Sequence, residues 1–578
     1  MCGIAGMIGP GADAEVVLRM AAGLRHRGPD DSGNWHEPGA ALAHTRLSVI
    51  DLSPGGHQPM RLGPLAIVYN GEIYNYRELR AKLPGPFHSN SDTEVLLHLY
   101  REHGDRCVER LQGMFAFAIW DSDQRRLFAA RDHLGIKPFH YSRRGDTLAF
   151  ASELGALRQA CDGPIDRTAI VDYMTYGYVP SPKTIYDGMC KLPPAHTLVL
   201  EDGKLRVQRY WSAAVDTTID EMPVAVERLD ALLSEIVPSQ LVSDVPVGVF
   251  LSGGMDSATI TYYAGKVSTF TLGLDNPAKS EAAAARSVAA HLGTEHHETF
   301  ADSGDLHTAV DTVARCFGEP FADNAAWSSW LVAKKARERV TVALSGEGGD
   351  ELFGGYERYW KLQQGSFPVL GPLLSRLLPP SGKLARSVHR RTVTGIEASA
   401  ARTGGLVGPA MDELLVPGLV PEGYDRLWSF RPYWRDDLHP TQQLRWLELN
   451  TALPDRLLTK VDRTSMAHAL EVRPPLLDHR LVEFAFGLSP KLLVDARASR
   501  GKLVLRELMN SRLPPGHLDR PKSGFGLPVR RWIAGDTAYV ADASRTLMDA
   551  KILRKPFEPG FDRAWLMLVL ARWLQLNG

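Results

Sequence analysis

Cysteine is scarce and scattered in this chain. Its 578 residues include five, Cys2, Cys107, Cys161, Cys190 and Cys316, an odd number with no CxxC spacing. That argues against a disulfide framework and against a zinc site. Net charge is equally thin, with 66 Lys and Arg against 67 Asp and Glu. A balance of −1 gives no polyanion footprint, so nucleic acid is not an expected partner. Membrane-spanning apolar runs are missing too: the densest segment, Trp565 to Leu576, is interrupted by Arg572. The first twenty residues lack the basic head and apolar core of a secretory signal. The expectation is a cytoplasmic enzyme, too long for a single core and therefore divided into domains.

What is present begins at the second residue. The chain opens Met1-Cys2-Gly3-Ile4, and a methionine before a small residue is usually trimmed. Trimming would give Cys2 a free α-amine, a base with pKa near 8 beside a thiol that must lose its proton to attack. The plain alternative is an ordinary second residue in a frayed terminus.

The first two hundred residues alternate short apolar runs with turns. Leu65 to Tyr69, Met114 to Trp120 and Leu127 to Ala130 read as strands, the first followed by an Asn70-Gly71 turn signal. Ser91 to Glu94 has capping-box spacing ahead of a helix that Gly104 can end. After Tyr210-Trp211 the texture changes. A helix from about residue 223 leads to a continuous apolar strand, Val245 to Leu251, and then to a Gly-rich turn and another helix. A strand from Val267 to Leu274, a helix from Glu281 to Leu292 and a strand from Val340 to Leu344 follow, as in a doubly wound parallel sheet. Residues 365 to 440 show no clean period and read as helices and loops.

Several polar groups in the first part suit one site. Arg46 has the planar fork that clamps a carboxylate through two hydrogen bonds. Asn70 and Gly71 offer a side-chain amide beside an unhindered N–H, as in an oxyanion hole. Glu72 and Asp92 suit an ammonium group. With Cys2-Gly3-Ile4, the stretches Arg25 to Asp30, Arg46 to Met60 and Asn70 to Asn75 resemble the N-terminal-nucleophile glutaminase domain of class II amidotransferases. The resemblance covers about residues 2–205. It implies an α+β four-layer αββα fold that hydrolyses glutamine. Cys2 would be the nucleophile, Asn70 and Gly71 the oxyanion hole, and Arg46, Glu72 and Asp92 the ligands of glutamine.

The second part has its own signals. Ser252-Gly253-Gly254-Met255-Asp256-Ser257 follows a buried strand and opens a helix, where backbone N–H groups and the helix dipole favour an anion. It lacks the GxxxxGK[ST] lysine of an ordinary P-loop. Instead the hexapeptide resembles the pyrophosphate loop of the ATP pyrophosphatases. A second cluster, Ser345 to Glu351, sets acids among glycines and needs Mg²⁺ or a cation for balance. Charged blocks at Lys460 to Arg463, Glu471 to Asp478 and Arg520 to Phe525 read by default as ion pairs between helices.

From about residue 2 to 540 the chain resembles the glutamine-hydrolysing asparagine synthetase family. That implies a second domain over 215–578, an α/β doubly wound ATP-pyrophosphatase with added helices. Its implied chemistry is ATP-driven formation of β-aspartyl-AMP from aspartate, followed by attack of glutamine-derived ammonia with release of AMP and pyrophosphate. Ser252, Gly253, Gly254, Asp256 and Ser257 would hold pyrophosphate, and Leu272, Ser345 and Gly346 would contact the nucleotide. Glu347 and Lys522 would be catalytic, with Asp256 and Asp350 the Mg²⁺ ligands.

Other readings compete. One is an amidotransferase of a biosynthetic pathway acting on another carboxylate. It is left open by Met255 and by Glu471-Val472-Arg473-Pro474-Pro475-Leu476, which depart from the family pattern. β-Lactam synthetases lack the nucleophilic cysteine and carry tyrosine in place of Glu347. A third option is a regulatory protein that senses glutamine or nucleotide. The expected partners are small molecules, with a homodimer as one option.

Overall fold

The structure is a computed structural model that describes residues 2–274, 281–301, 305–361, 395–397, 400, 412–520, 528–560 and 563–577. Two six-stranded sheets form its first part. One has the order β10 (Met189–Lys191), β8 (His140–Arg144), β9 (Thr147–Ala151), β1 (Gly3–Ile8), β3 (Ala40–Arg46), β2 (Asp31–Glu37). The other runs β12 (Lys204–Arg209), β11 (His196–Glu201), β7 (Arg126–Arg131), β6 (Gly113–Asp121), β5 (Leu65–Ile73), β4 (Met60–Leu62).

Side chains alternate along each strand, so each sheet offers an apolar layer to both sides. Ile4, Leu42, Val68, Ala118 and Phe150 fill the space between the sheets. Val17 and Met20, from helix Ala14–Ala22, cover the outer face of the first sheet. Val95, Leu96 and Leu99, from helix Asp92–His103, cover the second. The result is the four-layer αββα stack expected from the sequence. Ser91 caps the second helix by accepting from Thr93 N, and Gly104 ends it at φ 55°. Glu94 does not close the capping box; its carboxylate accepts from His88 N and Ser89 N instead.

The expected Asn70-Gly71 turn is not one. β5 continues to Ile73 and stays paired with β6, Asn70 opposite Ala116 and Gly71 opposite Phe115. Extended pairing on a buried strand outweighs the local turn preference.

The second part is built on a five-stranded parallel sheet ordered β15 (Glu295–Ala301), β14 (Ser268–Leu274), β13 (Val247–Phe250), β16 (Val342–Leu344), β17 (Glu471–Arg473). Helices Met222–Ser239, Met255–Ala264 and Ala282–Leu292 pack Ile236, Ala258 and Val288 with Val249 on one face. Ala333 and Ala336, from helix Ala325–Ala336, meet Phe270 and Ala343 on the other. The connection reverses direction at β13, which lies between β14 and β16. The loops after β13 and β16 therefore face a crevice at the switch point, where ligands of such sheets bind. Of the stretch 365–440, residues 365–394, 398–399 and 401–411 lie outside the described residues. Among the described residues no helix is long and apolar enough to cross a membrane.

Candidate active sites

Cys2 stands just before β1, which is seated by close contact: a Cβ on Gly3 would lie 2.6 Å from Thr45 Oγ1. The Cys2 thiol is buried, and burial raises its pKa. Its Sγ lies 3.9 Å from the Leu47 carbonyl, and the Cys2 N–H donates to Asn70 Oδ1 at 2.9 Å. Asn70 is wholly buried, yet among the described residues its Nδ2 has no partner. A buried amide donor left unpaired is costly unless a ligand completes it, so Asn70 Nδ2 is a donor that a ligand could use. Gly71 lines the same pocket, packed so closely that a Cβ would come within 2.2 Å of the Met114 carbonyl.

Arg46 lines this pocket as well. Its guanidinium is held by the carbonyls of Ser53 at 3.2 Å, Ile50 at 3.3 Å and Asp51. Carbonyls orient the fork without neutralising it, which leaves a buried cation ready for a carboxylate. Asp92 accepts from Tyr69 OH at 2.7 Å and Ile73 N at 3.1 Å. Burial raises its pKa, with those bonds opposing the shift.

Glu72 lines this pocket too, and it is also tied to the second part of the chain. Its carboxylate sits 3.1 Å from Arg473, a residue of β17 in the parallel sheet. Arg473 also holds Glu471 at 2.7 Å, and Glu471 forms part of the pocket wall. Burial alone would raise the Glu471 carboxyl; neighbouring positive charge, including Arg473 and Lys137, holds it at about 2.

The second site lies in a cavity of about 230 Å³ lined by Leu251, Ser252, Leu272, Ser345, Glu347, Lys460 and Val472, among others. Gly253 takes φ +79°, and a Cβ there would lie 2.8 Å from Ala284 Cβ, Ala285 N and Glu281 O. Only glycine fits that position without strain. Ser257 Oγ ties the loop together, accepting from Ser252 N and donating to Gly254 O, each at 3.1 Å. Helix Met255–Ala264 has Gly254 as an N-cap without a side-chain cap, so its first N–H groups stay open to an anion. Ser345 Oγ is buried and has no partner among the described residues, and Gly346 packs on Asp256.

Asp256 and Asp350 come together on Lys502, whose ammonium is 2.5 Å from the first and 2.6 Å from the second. Two carboxylates beside an anion loop are the hard oxygen donors that Mg²⁺ shares with phosphates, so this donor set fits that ion. Among the described residues no group of three or more His, Cys, Asp or Glu is arranged to hold a metal by itself. Burial raises the Glu347 carboxyl; Lys460 opposes this, while Asp323, Asp350 and Asp256 add to it. Lys522 lies outside the described residues.

Two family models cover this layout. Residues 1–211 match a glutamine amidotransferase domain and residues 228–575 match asparagine synthase. The chain belongs to the asparagine synthetase family. Asparagine synthetase [glutamine-hydrolyzing] 1 of Bacillus subtilis is 32% identical over 93% of this chain and 88% of its own length. A putative asparagine synthetase of Mycobacterium bovis is 34% identical over 92% and 88%. Amidase chry2 of Gibberella zeae is 27% identical over 93% and 90%.

Against that family background, sequence reading missed several residues that the fold brings to the two sites. Leu251 and Lys460 line the nucleotide-side cavity, and Lys502 bridges its acids. Arg473 had been read as a tie between helices, but it reaches Glu72 across 401 residues of sequence. For Lys460, Lys502 and Arg473 the local signal was charge placed among apolar neighbours, and Leu251 carried none beyond ending an apolar strand.

Proposed function

We propose that this chain makes asparagine from aspartate, using ammonia that it releases from glutamine and ATP that it cleaves to AMP and pyrophosphate. The division of labour follows residues 2–205 and 215–578. The observation that carries the reading is the Cys2–Asn70 pair: a nucleophile whose N–H is held by a side chain with an unpaired amide, in a pocket also lined by Arg46 and Asp92.

With Met1 removed, the Cys2 amine would take the thiol proton, which burial makes harder to lose. Thiolate attack on the glutamine amide carbon places negative charge on its oxygen, where Asn70 Nδ2 and the Gly71 N–H would receive it. Arg46 would fix the α-carboxylate and Asp92 the α-ammonium. The amine would then return its proton to the departing nitrogen, and water would cleave the resulting thioester to release glutamate and restore the Cys2 thiol.

In the other cavity the 252–257 loop would hold the β- and γ-phosphates, while Leu272, Ser345 and Gly346 would seat the nucleotide. The aspartate β-carboxylate would attack the α-phosphorus to give β-aspartyl-AMP, and ammonia would displace AMP. Glu347 would accept the proton that ammonia sheds, and Lys522 would stabilise charge at phosphate. Mg²⁺ on Asp256 and Asp350 would neutralise phosphate charge when bound.

Replacing Cys2 by alanine tests the scheme. Glutamate formation should vanish, while pyrophosphate release and asparagine formation with ammonium, ATP and aspartate should persist. Pyrophosphate release that ignores aspartate but responds to another carboxylate would overturn the choice of acceptor.

A further inference from the structure

The nucleophile is braced from the opposite domain. Arg27 is wholly buried, and its Nε donates to the Cys2 carbonyl at 3.0 Å. Its fork meets Asp462 through two parallel bonds of 2.9 and 3.0 Å, and its Nη1 also donates to Glu153 at 2.8 Å. Asp462 lies in helix Thr459–Met466, distant in sequence and part of the synthetase half. The next residue, Arg463, sits 2.5 Å from Glu153.

The same helix serves the other chamber. Lys460 lines the nucleotide-side cavity, 3.9 Å from Asp323 and acting electrostatically on Glu347. Two residues of α-helix turn the side chain by about 200°, so Lys460 and Asp462 point to nearly opposite sides. Leu453–Leu458, immediately before, is a π-helical segment, a rare geometry that tends to occur where a helix has a job besides packing. It too is pinned on both sides, Asp455 by Ser181 of the glutaminase half at 2.6 and 2.7 Å and Arg456 by Asp323 at 3.2 Å.

Glu153 alone cannot do what Asp462 does. Its Oε1 is shared by Arg27, Arg463 and His26, whereas both oxygens of the Asp462 carboxylate face the Arg27 fork. A bidentate pair fixes the plane of a guanidinium, and here that plane directs Nε at the Cys2 carbonyl. Resting on the proposed glutaminase role of Cys2, we infer that Asp462 is a positioning residue of the glutamine site: through Arg27 it sets the place of Cys2, and it links that place to the helical turn that carries Lys460 into the nucleotide cavity. Asp462 itself touches no substrate.

The test uses the full-length protein and Asp462→Asn, which keeps the shape and removes the charge. Turnover of glutamine to glutamate should fall ten- to a hundredfold, on the order expected for a misplaced reacting group, with KM for glutamine changed less than threefold. Alkylation of Cys2 by a glutamine-like chloroketone should slow in parallel, and asparagine formation from ammonium should stay within twofold. In the parent, ATP with aspartate should speed that alkylation; in the variant it should not. Unchanged glutamine turnover would overturn the inference, as would an equal loss of the glutamine and ammonium reactions, which indicates simple domain adhesion.

If Asp462→Asn does not fold, Arg27→Lys examines the same contact from the other side. It keeps the charge and loses the fork, so slowed turnover at unchanged stability supports the inference and parent-like turnover rejects it. Failure of Cys2→Ala to abolish glutamate formation would instead strike the glutaminase reading itself.

Discussion

The Lys502 ammonium lies 2.5 Å from the Asp256 carboxylate, closing a buried contact between the start of one helix and the first turn of a distant one. Asp350 joins the same ammonium at 2.6 Å. Lys502 thus holds together two carboxylates that would otherwise repel.

Lys502→Met should therefore cost about 3 kcal/mol of stability, the scale of breaking a buried ion pair by removing one partner. Thermal denaturation checks this. Added Mg²⁺ should raise the midpoint of the variant more than that of the parent, because the ion can restore the missing positive charge. Equal shifts would count against Asp256 and Asp350 as its ligands.

Gly253 and Gly254 are neighbours with opposite demands. Alanine at 253 must take φ +79° and meet three atoms at 2.8 Å, whereas alanine at 254 meets only Ser252 Oγ at 3.3 Å. Gly253→Ala should destabilise the protein by about 1–3 kcal/mol and raise KM for ATP at least tenfold. Gly254→Ala should leave the melting midpoint within a degree or so. Matching midpoints for the two would show that the loop tolerates a side chain at both positions.

Asn70→Ala should lower the turnover of glutamine by about 10²- to 10³-fold, the usual scale for losing one oxyanion donor. The ammonium-driven reaction should be unaffected. Paired assays of glutamate and asparagine decide this, and a large rise in KM at constant turnover would assign Asn70 to ground-state binding instead.

His133 and His479 stack between the two halves, with ring centroids 4.4 Å apart and planes 9° from parallel. Burial lowers the pKa of both, and the charge of His479 lowers that of His133 further. Their folded-state values lie below the unfolded value near 6.5, so the unfolded chain binds protons first as pH falls. Their stabilisation is complete above that pH and declines below it, by up to about 1 kcal/mol per pH unit for each ring. The thermal midpoint should drop from pH 7.5 to 5.5, and His133→Phe should flatten that slope. An unchanged slope would show that these rings do not govern it.

Much of the first site was legible because its parts are local. Cys2, Arg46, Asn70 and Asp92 each stand in short motifs whose order points to one chemistry, and the fold gathers them. The Asn70-Gly71 turn was misread because a dipeptide preference says nothing about β6 across the ladder. Lys502, Asp462 and Arg473 were hard to place for a different reason. Their partners are 246, 435 and 401 residues away in sequence, and a charged side chain carries no mark of which distant opposite charge it will meet. The glycine loops stood out because backbone shape and anion affinity are both written within a few residues.

β17 has one further consequence. Glu471 opens onto the glutamine pocket, Val472 onto the nucleotide-side cavity, and Arg473 returns to Glu72. Because strand side chains alternate, inserting or deleting a single residue here would exchange the two faces, turning carboxylate and guanidinium toward the nucleotide and valine toward the nucleophile. Swapping one side chain along this partition alters one chamber and leaves the alternation intact, whereas a one-residue indel within it would disturb both chambers at once.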